Sequence, residues 1–434
     1  MSHSKLLLKN ITSLGLVQIV NYIFPLLTIP FVSRILGPSG LGSINYITAF
    51  VAYFTLIVGY GFDLTATRRI AGRGYSLKNR RIVFSLVFVA RLVLFLFSSI
   101  IFILCLIYVE KLNENLLLCS IIYINALSVL IAPQFLYQGL QSLTIYSYVN
   151  IFRGILSTIL IFLLIKKPED YIIYAAIGVF LNFLTSLFFL VYAWFKFDLK
   201  FIFFGFKPSI DLIFRERYIF FSSVIFSLYT STNIVILGFY ESPEKIGYYT
   251  VALGLINIIQ SVVNIPLSTS LYPFLGNSFS KSIEIGILQL RRIIPIVFYV
   301  TFIGGIVLLL SSPFVVKIIY GNKFENAIPC VMILSFLPMI SSIASLLGVQ
   351  TMLNLKMDRD FVNITFYAAI LSILLNFLLG YFFSYIGTAI SYLITELFII
   401  IQLFQKLNSK NLHIVKLEYF TFKSISASLK MIRK

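Results

Sequence analysis

Apolar runs of roughly 20 residues, each long enough to cross the hydrocarbon core of a bilayer, recur twelve times along this 434-residue chain. They fall at 11–33, 43–66, 82–108, 116–138, 144–165, 171–194, 216–238, 247–273, 293–311, 327–350, 361–382 and 385–405. In hydrocarbon each backbone N–H and C=O must find its partner within the protein, so isolated runs of this kind specify helices. Composition agrees: 59% of residues are hydrophobic and 12% charged, against about half and about a quarter in an average soluble domain. These figures exclude a disordered chain, a disulfide scaffold and an ordinary soluble enzyme. The expected fold class is an all-α integral membrane protein of about 12 transmembrane helices. The first run is too long for a signal-peptide core, contains Pro25 and Pro30 and lacks a small-residue cleavage site, so it is expected to stay as the first span.

The net charge is +18, from 34 Lys+Arg against 16 Asp+Glu. The basic residues sit in short connections between apolar runs, which points to topology control and anionic headgroups, with no nucleic acid partner. With the N-terminus inside, 25 of them fall in inside segments, if Arg217 at the start of span seven is counted with the connection before it, and 7 fall in outside loops. Arg91 and Arg153 lie within spans. This asymmetry predicts an N-in, C-in orientation. Cys105, Cys119 and Cys330 lie in or beside apolar runs without metal-ligand spacing and read as packing residues.

The chain also repeats itself. Arg34 to Tyr46 reads RILGPSGLGSINY, and Val235 to Tyr249 reads VILGFYESPEKIGYY. Both carry Ile-Leu-Gly, a short polar turn, then Gly and an aromatic residue. Six spans separate the copies, an even number, so the two halves share one orientation and form a parallel repeat. The expected organisation is a six-helix bundle over 1–194, a cytosolic connection over 195–215, a second six-helix bundle over 216–405 and a basic cytosolic tail over 406–434. The connection mixes Lys196, Lys200 and Lys207 with aromatic residues and is expected on the membrane surface. Two such bundles facing each other across a central cavity form the usual plan of a transporter.

Ionisable groups at membrane depth are costly and therefore functional candidates. Arg91 and Arg153 suit a phosphate or pyrophosphate through bidentate hydrogen bonds, or alternatively snorkel to the cytosolic interface. Asp63 is a candidate for ion coupling or for pairing with Arg68 or Arg69, and Glu396, deep in span twelve, is a candidate for a coupling proton or a neutral buried acid. Amides at helical spacing (Gln18 and Asn21; Gln134 and Gln138; Asn257, Gln260 and Asn264) form stripes facing a bundle interior, fit either for sugars or for interhelical hydrogen bonds. Pro25 and Pro30 interrupt span one, and Pro266 and Pro273 span eight; these bends are candidate gating points. No Walker A loop, metal cluster or Ser/His/Asp constellation stands out, so no cofactor is expected, and a coupling ion is left open between proton and sodium.

Several segments carry a family likeness: Asn21 to Gly42 (NYIFPLLTIPFVSRILGPSGLG), Gly59 to Ala71 (GYGFDLTATRRIA), Arg153 to Ala175, Asn233 to Ala252 followed by PLSTSLYP, and Tyr385 to Glu396 (YIGTAISYLITE). Together they resemble the O-antigen flippases called Wzx, in the polysaccharide transporter family of the multidrug/oligosaccharidyl-lipid/polysaccharide exporter superfamily. The resemblance covers essentially the whole chain. It implies a two-lobed exporter fold in the bacterial inner membrane and no enzymatic activity. The substrate it implies is an undecaprenyl-pyrophosphate-linked oligosaccharide, moved from the cytosolic to the outer leaflet with ion coupling. It also brings in a polysaccharide polymerase and a chain-length regulator as candidate partners. Three alternatives stay open: a multidrug or cation antiporter of the same superfamily, a membrane glycan polymerase, and a scaffold of polysaccharide assembly. An antiporter for cationic drugs prefers an acidic cavity, and a polymerase generally needs a long external loop, which the expected topology lacks.

Overall fold

The computed structural model describes residues 3–72, 76–267 and 271–421, with side chains from Phe24 onward except Tyr229, Ile265, Pro266 and Leu417. Among the described residues there are helices and no strands. In chain order they are α1 (His3–Gly59), α2 (Phe62–Gly72), α3 (Leu77–Tyr108), α4 (Glu110–Asn113), α5 (Leu116–Ile131), α6 (Gln134–Gly139), α7 (Leu143–Leu164) and α8 (Tyr171–Lys196). There follow α9 (Lys207–Thr230), α10 (Thr232–Tyr240), α11 (Pro243–Pro266), α12 (Tyr272–Lys281), α13 (Ile283–Ile319), α14 (Ile328–Leu334), α15 (Leu337–Leu347) and α16 (Asp358–Ser409).

Nine helices among the described residues are long and apolar enough to cross a membrane. Two of these are long enough to hold two expected spans each, with a backbone break between the two. Gly37 (φ 67°, ψ −177°) breaks α1 between the first and second expected spans, and Ser384 (φ 59°, ψ −143°) breaks α16 between the eleventh and twelfth. A further pair, Lys207–Leu228 and Thr232–Tyr240, meets at 50° and falls on the seventh. The break in α1 has a local cause. Gly37 takes a positive φ that costs a glycine little, and Pro38 then supplies the pre-set φ of a first helical residue. At the other break, a Cβ on Gly387 would lie 1.9 Å from the Leu379 carbonyl oxygen, so the two arms of α16 approach as closely as they do because this residue has no side chain.

The chain forms two compact units, Met1–Val224 and Ile225–Lys434, and the boundary falls inside α9. In the first unit α1 packs on α7 and α5 on α8; in the second α10 packs on α16 and α13 on α15. The repeated sequence becomes a repeated turn. Gly37 and Ser242 are both extended in ψ (−177° and 157°) and each precedes the proline that opens the next helix, as the steric demand of proline on its predecessor requires. Gly42 and Gly247 follow at the same distance from Pro38 and Pro243.

The connection after α8 is not a free loop. Phe197, Leu199 and Leu212 are buried in the aromatic core of the first unit, beside Tyr137 and Phe189. Arg81 holds Asp198 by an ion pair and donates from Nε to its carbonyl at 2.9 Å. The Ile202 N–H donates to Ser85 Oγ at 2.9 Å, and Arg69 pairs with Glu216. Phe195, Phe203 and Phe206 remain exposed beside exposed Lys196, Lys200 and Lys207. Of the tail, α16 ends at Ser409, a 3₁₀ turn covers Leu417–Phe420, and 422–434 lie outside the described residues.

Candidate functional site

The first unit holds a half-open cavity of about 420 Å³ between α1, α5, α7 and α8, lined by both polar and apolar residues and termed the polar cavity. Arg153, the tenth residue after Leu143 at the start of α7, stands about 15 Å along that helix, near its middle. Its Nη1 donates to Asn182 Oδ1 on α8 at 3.0 Å, and Asn182 Nδ2 donates to Asn125 Oδ1 on α5 at 3.0 Å. Arginine is donor-only, so Asn182 must turn its oxygen to Arg153 and its amino group to Asn125. The relay thereby fixes three helices around one cation. Thr28, Thr48, Asn125, Asn150, Ser157 and Tyr174 supply further polar groups to the wall, and Pro25 belongs to it as well.

Arg153 also borders two other cavities. One, of about 140 Å³, includes Gln134, Tyr146, Asn150 and Ser186. The other, of about 450 Å³, is an apolar groove between α7 and α8. Among the described residues no aspartate or glutamate lines any of the three. Among the described residues Arg153 has no ion pair, and its hydrogen bond to Asn182 leaves most of its donors for something else. A guanidinium placed in an apolar bundle without a carboxylate is stabilised by an anion that enters.

Arg91 is placed differently. It is 1% exposed. Its Nη2 lies 2.9 Å from Asp63 Oδ2, its Nη1 donates to the Ala132 carbonyl at 2.7 Å, and its guanidinium lies 5.7 Å from the centre of the Phe135 ring. The Ala132 carbonyl is available because α5 ends at Ile131 and the Leu136 N–H, its partner in a continued helix, donates to the Pro133 carbonyl instead. Asp63 sits in the first turn of α2, where a carboxylate is favoured. Asp63 therefore pairs with Arg91 and not with Arg68 or Arg69, and Arg91 borders none of the three cavities.

The amide stripes divide. Gln134 reaches a cavity beside Arg153, whereas Gln138 accepts a hydrogen bond from Thr67 Oγ1 at 3.2 Å and ties α6 to α2. Gln260 Nε2 donates to Ser341 Oγ at 2.9 Å and ties α11 to α15. Asn257 is exposed, and Asn264 keeps a buried oxygen without a hydrogen bond among the described residues. The side chains of Gln18 and Asn21 lie outside the described residues. Glu396 is 6% exposed in α16, with no hydrogen bond or ion pair to its carboxyl among the described residues. Pro30 lies within α1, Pro266 is the last residue of α11 and Pro273 falls in the first turn of α12.

Sequence reasoning did not single out Asn125 and Asn182, the partners that orient Arg153. It also missed a buried pair in the second unit, where Asn376 Nδ2 donates to Asn233 Oδ1 at 2.9 Å. Asn125, Asn182 and Asn233 are each the lone amide of their helix, and Asn376 stands 13 residues from the nearest other amide of α16, so no stripe marks them. The available signal was the cost of an amide at membrane depth, which demands a partner.

Comparison with known proteins bears on both the sequence and the fold. The profile of a family described as polysaccharide biosynthesis protein matches residues 7–279, well over half of the chain. A protein of Escherichia coli (strain K12) named as an O-antigen transporter is 28% identical over 410 residues, which cover 91% of this chain and 95% of that one. A protein of Shigella dysenteriae with the same name is 28% identical over 405 residues, covering 91% and 98%. Among solved structures, the lipid II flippase MurJ in an inward closed conformation superimposes with a TM-score of 0.70 at 15% identity, over 98% of this chain and 91% of that one. An inward-facing multidrug resistance MATE family transporter of the MOP superfamily gives 0.67 at 14% identity, over 93% and 99%. Together with the long apolar helices, these likenesses show a multi-pass membrane protein whose all-helical fold is shared with those two solved structures.

Proposed function

We propose that this chain, which belongs to the polysaccharide biosynthesis protein family, is a flippase for lipid-linked oligosaccharides in the bacterial inner membrane. The carrying observation is Arg153: a cation without a carboxylate, held by Asn182 on the wall of a polar cavity inside an apolar bundle. The names of the two O-antigen transporter relatives and the fold shared with a lipid II flippase support the same reading.

In this reading the substrate is an undecaprenyl-pyrophosphate-linked repeat unit. The Arg153 guanidinium binds the pyrophosphate through paired N–H donors, which match two phosphate oxygens better than an ammonium does. Asn125, Asn150, Thr48 and Tyr174 offer donors and acceptors to the first sugars. The helices broken at Gly37 and Ser384 count as two spans each and the bent pair as one, giving twelve spans in two six-helix bundles. Both termini are cytosolic in this reading, which the distribution of Lys and Arg supports. Transport proceeds by alternating access coupled to an ion, with Glu396 the candidate carrier because its carboxyl is buried without a partner of its own. A polymerase and a chain-length regulator are the assembly partners that receive the product. A cation-drug antiporter is disfavoured because the cavity holds a cation and no carboxylate.

The test is depletion of the chain in its host, with leaflet-specific labelling of the lipid-linked glycan. The expected result is unpolymerised repeat unit accumulating on the cytosolic face, reversed by restoring the chain. Outward-facing glycan at normal levels with polymer lost would place the defect after translocation and overturn the proposal.

A further inference from the structure

We infer that the apolar groove between α7 and α8 is where the hydrocarbon tail of the anionic substrate leaves the first unit, with Arg153 as the junction between headgroup and tail. This rests on the flippase reading and adds a tail site to it. The groove has a volume of about 450 Å³ and is walled by Tyr148, Phe152 and Leu156 on one side and Leu181, Leu184 and Phe188 on the other. Phe152 and Leu184 are 65% and 55% exposed. In a membrane such a face meets hydrocarbon, and its wall is apolar save for Tyr148, Thr185 and Arg153.

The argument is one of connectivity. In a lipid-linked sugar the pyrophosphate is covalently joined to the first isoprene unit. A polar cavity that takes the headgroup at mid-membrane depth must therefore open to hydrocarbon within a bond or two of the phosphate site. Of the residues bordering the polar cavity, only Arg153 and Leu181 also border the groove, and Arg153 is the charged one. The groove runs from Tyr148 to Leu156, about 12 Å along the helix axis, most of the depth of one leaflet. A groove used only by bulk lipid has no need of a carboxylate-free arginine at its floor. The charge complementarity selects an anionic headgroup and the apolar wall selects a polyprenyl tail.

The experiment uses the full chain reconstituted in phosphatidylethanolamine/phosphatidylglycerol vesicles with a benzophenone-bearing polyprenyl pyrophosphate, its photoreactive group on the isoprenes nearest the phosphate. Adducts are mapped by peptide mass spectrometry. They are expected on 148–156 and 181–188, and are displaced by unlabelled polyprenyl pyrophosphate but not by added phosphatidylglycerol. Leu184→Trp, which fills the groove from its lipid side, is expected to lower these adducts about tenfold, the equivalent of roughly two lost methylene contacts. Leu163→Trp is the control: it is equally lipid-facing at 62% exposure and lies away from the three cavities. Specific adducts elsewhere on the chain, or adducts in the groove that phosphatidylglycerol displaces equally well, overturn the tail site and leave the flippase reading standing. The absence of any displaceable adduct on the chain overturns both.

Discussion

Arg91 and Asp63 meet at 2.9 Å with unequal access to solvent: the arginine side chain is 2% exposed and the aspartate side chain 41%. The asymmetry predicts which half of the pair matters more. Asp63→Ala strands a buried guanidinium with only the Ala132 carbonyl and the Phe135 ring, at a cost of about 3 kcal/mol. Arg91→Met leaves a carboxylate that can still be hydrated, at a cost of about 1 kcal/mol. Thermal unfolding of the purified variants in detergent checks the order. If Arg91→Met proves the more damaging, the pair is not held as described.

Arg153 has no such partner, and its replacement is expected to act on export without unfolding the protein. Arg153→Ala removes the one cation among the described residues of the cavity wall and should abolish translocation while membrane insertion and thermal stability stay near wild type. Arg153→Lys keeps the charge and loses the paired geometry, so transport should fall by about tenfold. Leaflet-specific labelling of the lipid-linked glycan reads both variants. Full transport by the lysine variant would rule out recognition through paired donors.

These two arginines also mark how far the sequence could be read. Long apolar runs and an Ile-Leu-Gly turn repeated in each half are legible because hydrocarbon and proline sterics leave the backbone few choices. The partners of the charges are not legible. Asp63 is five and six residues from Arg68 and Arg69, spacings that do not share a helix face. Its actual partner lies on α3, brought there by the break at Gly61 and closed off by the break at Pro133. The relay from Arg153 through Asn182 to Asn125 joins one guanidinium and two lone amides from three helices. No one-dimensional pattern encodes that meeting, and the period of each helix alone says only that an amide is present.

Gly387 offers a test of the fold independent of transport. A Cβ there would lie 1.9 Å from the Leu379 carbonyl oxygen and 2.5 Å from its carbon. Neither is the movable end of a side chain, so the two arms of α16 must part. Gly387→Ala is expected to cost about 3 kcal/mol, at the upper end of overpacking effects, seen as a lowered Tm and reduced membrane yield. Gly304, beside which a Cβ meets nothing within 4 Å, serves as the control, with Gly304→Ala near neutral. Equal stability of the two variants would contradict the close approach at the α16 break.

The two ends of α8 test the orientation. The helix spans Tyr171–Lys196, about 39 Å along its axis, enough to cross a hydrocarbon core of about 30 Å with both ends in the headgroups. Lys166, just before it, and Lys196, at its last turn, are both exposed. Cys119 and Cys330 are buried and Cys105 is half-buried, so native thiols should give little background. With both termini cytosolic, Lys166→Cys should react with a membrane-impermeant maleimide in intact spheroplasts. Lys196→Cys should react only after the membrane is opened. The reverse pattern would invert the topology, and with it the assignment of the basic connection after α8 to the cytosolic face. Labelling of both from one side would mean that α8 does not span.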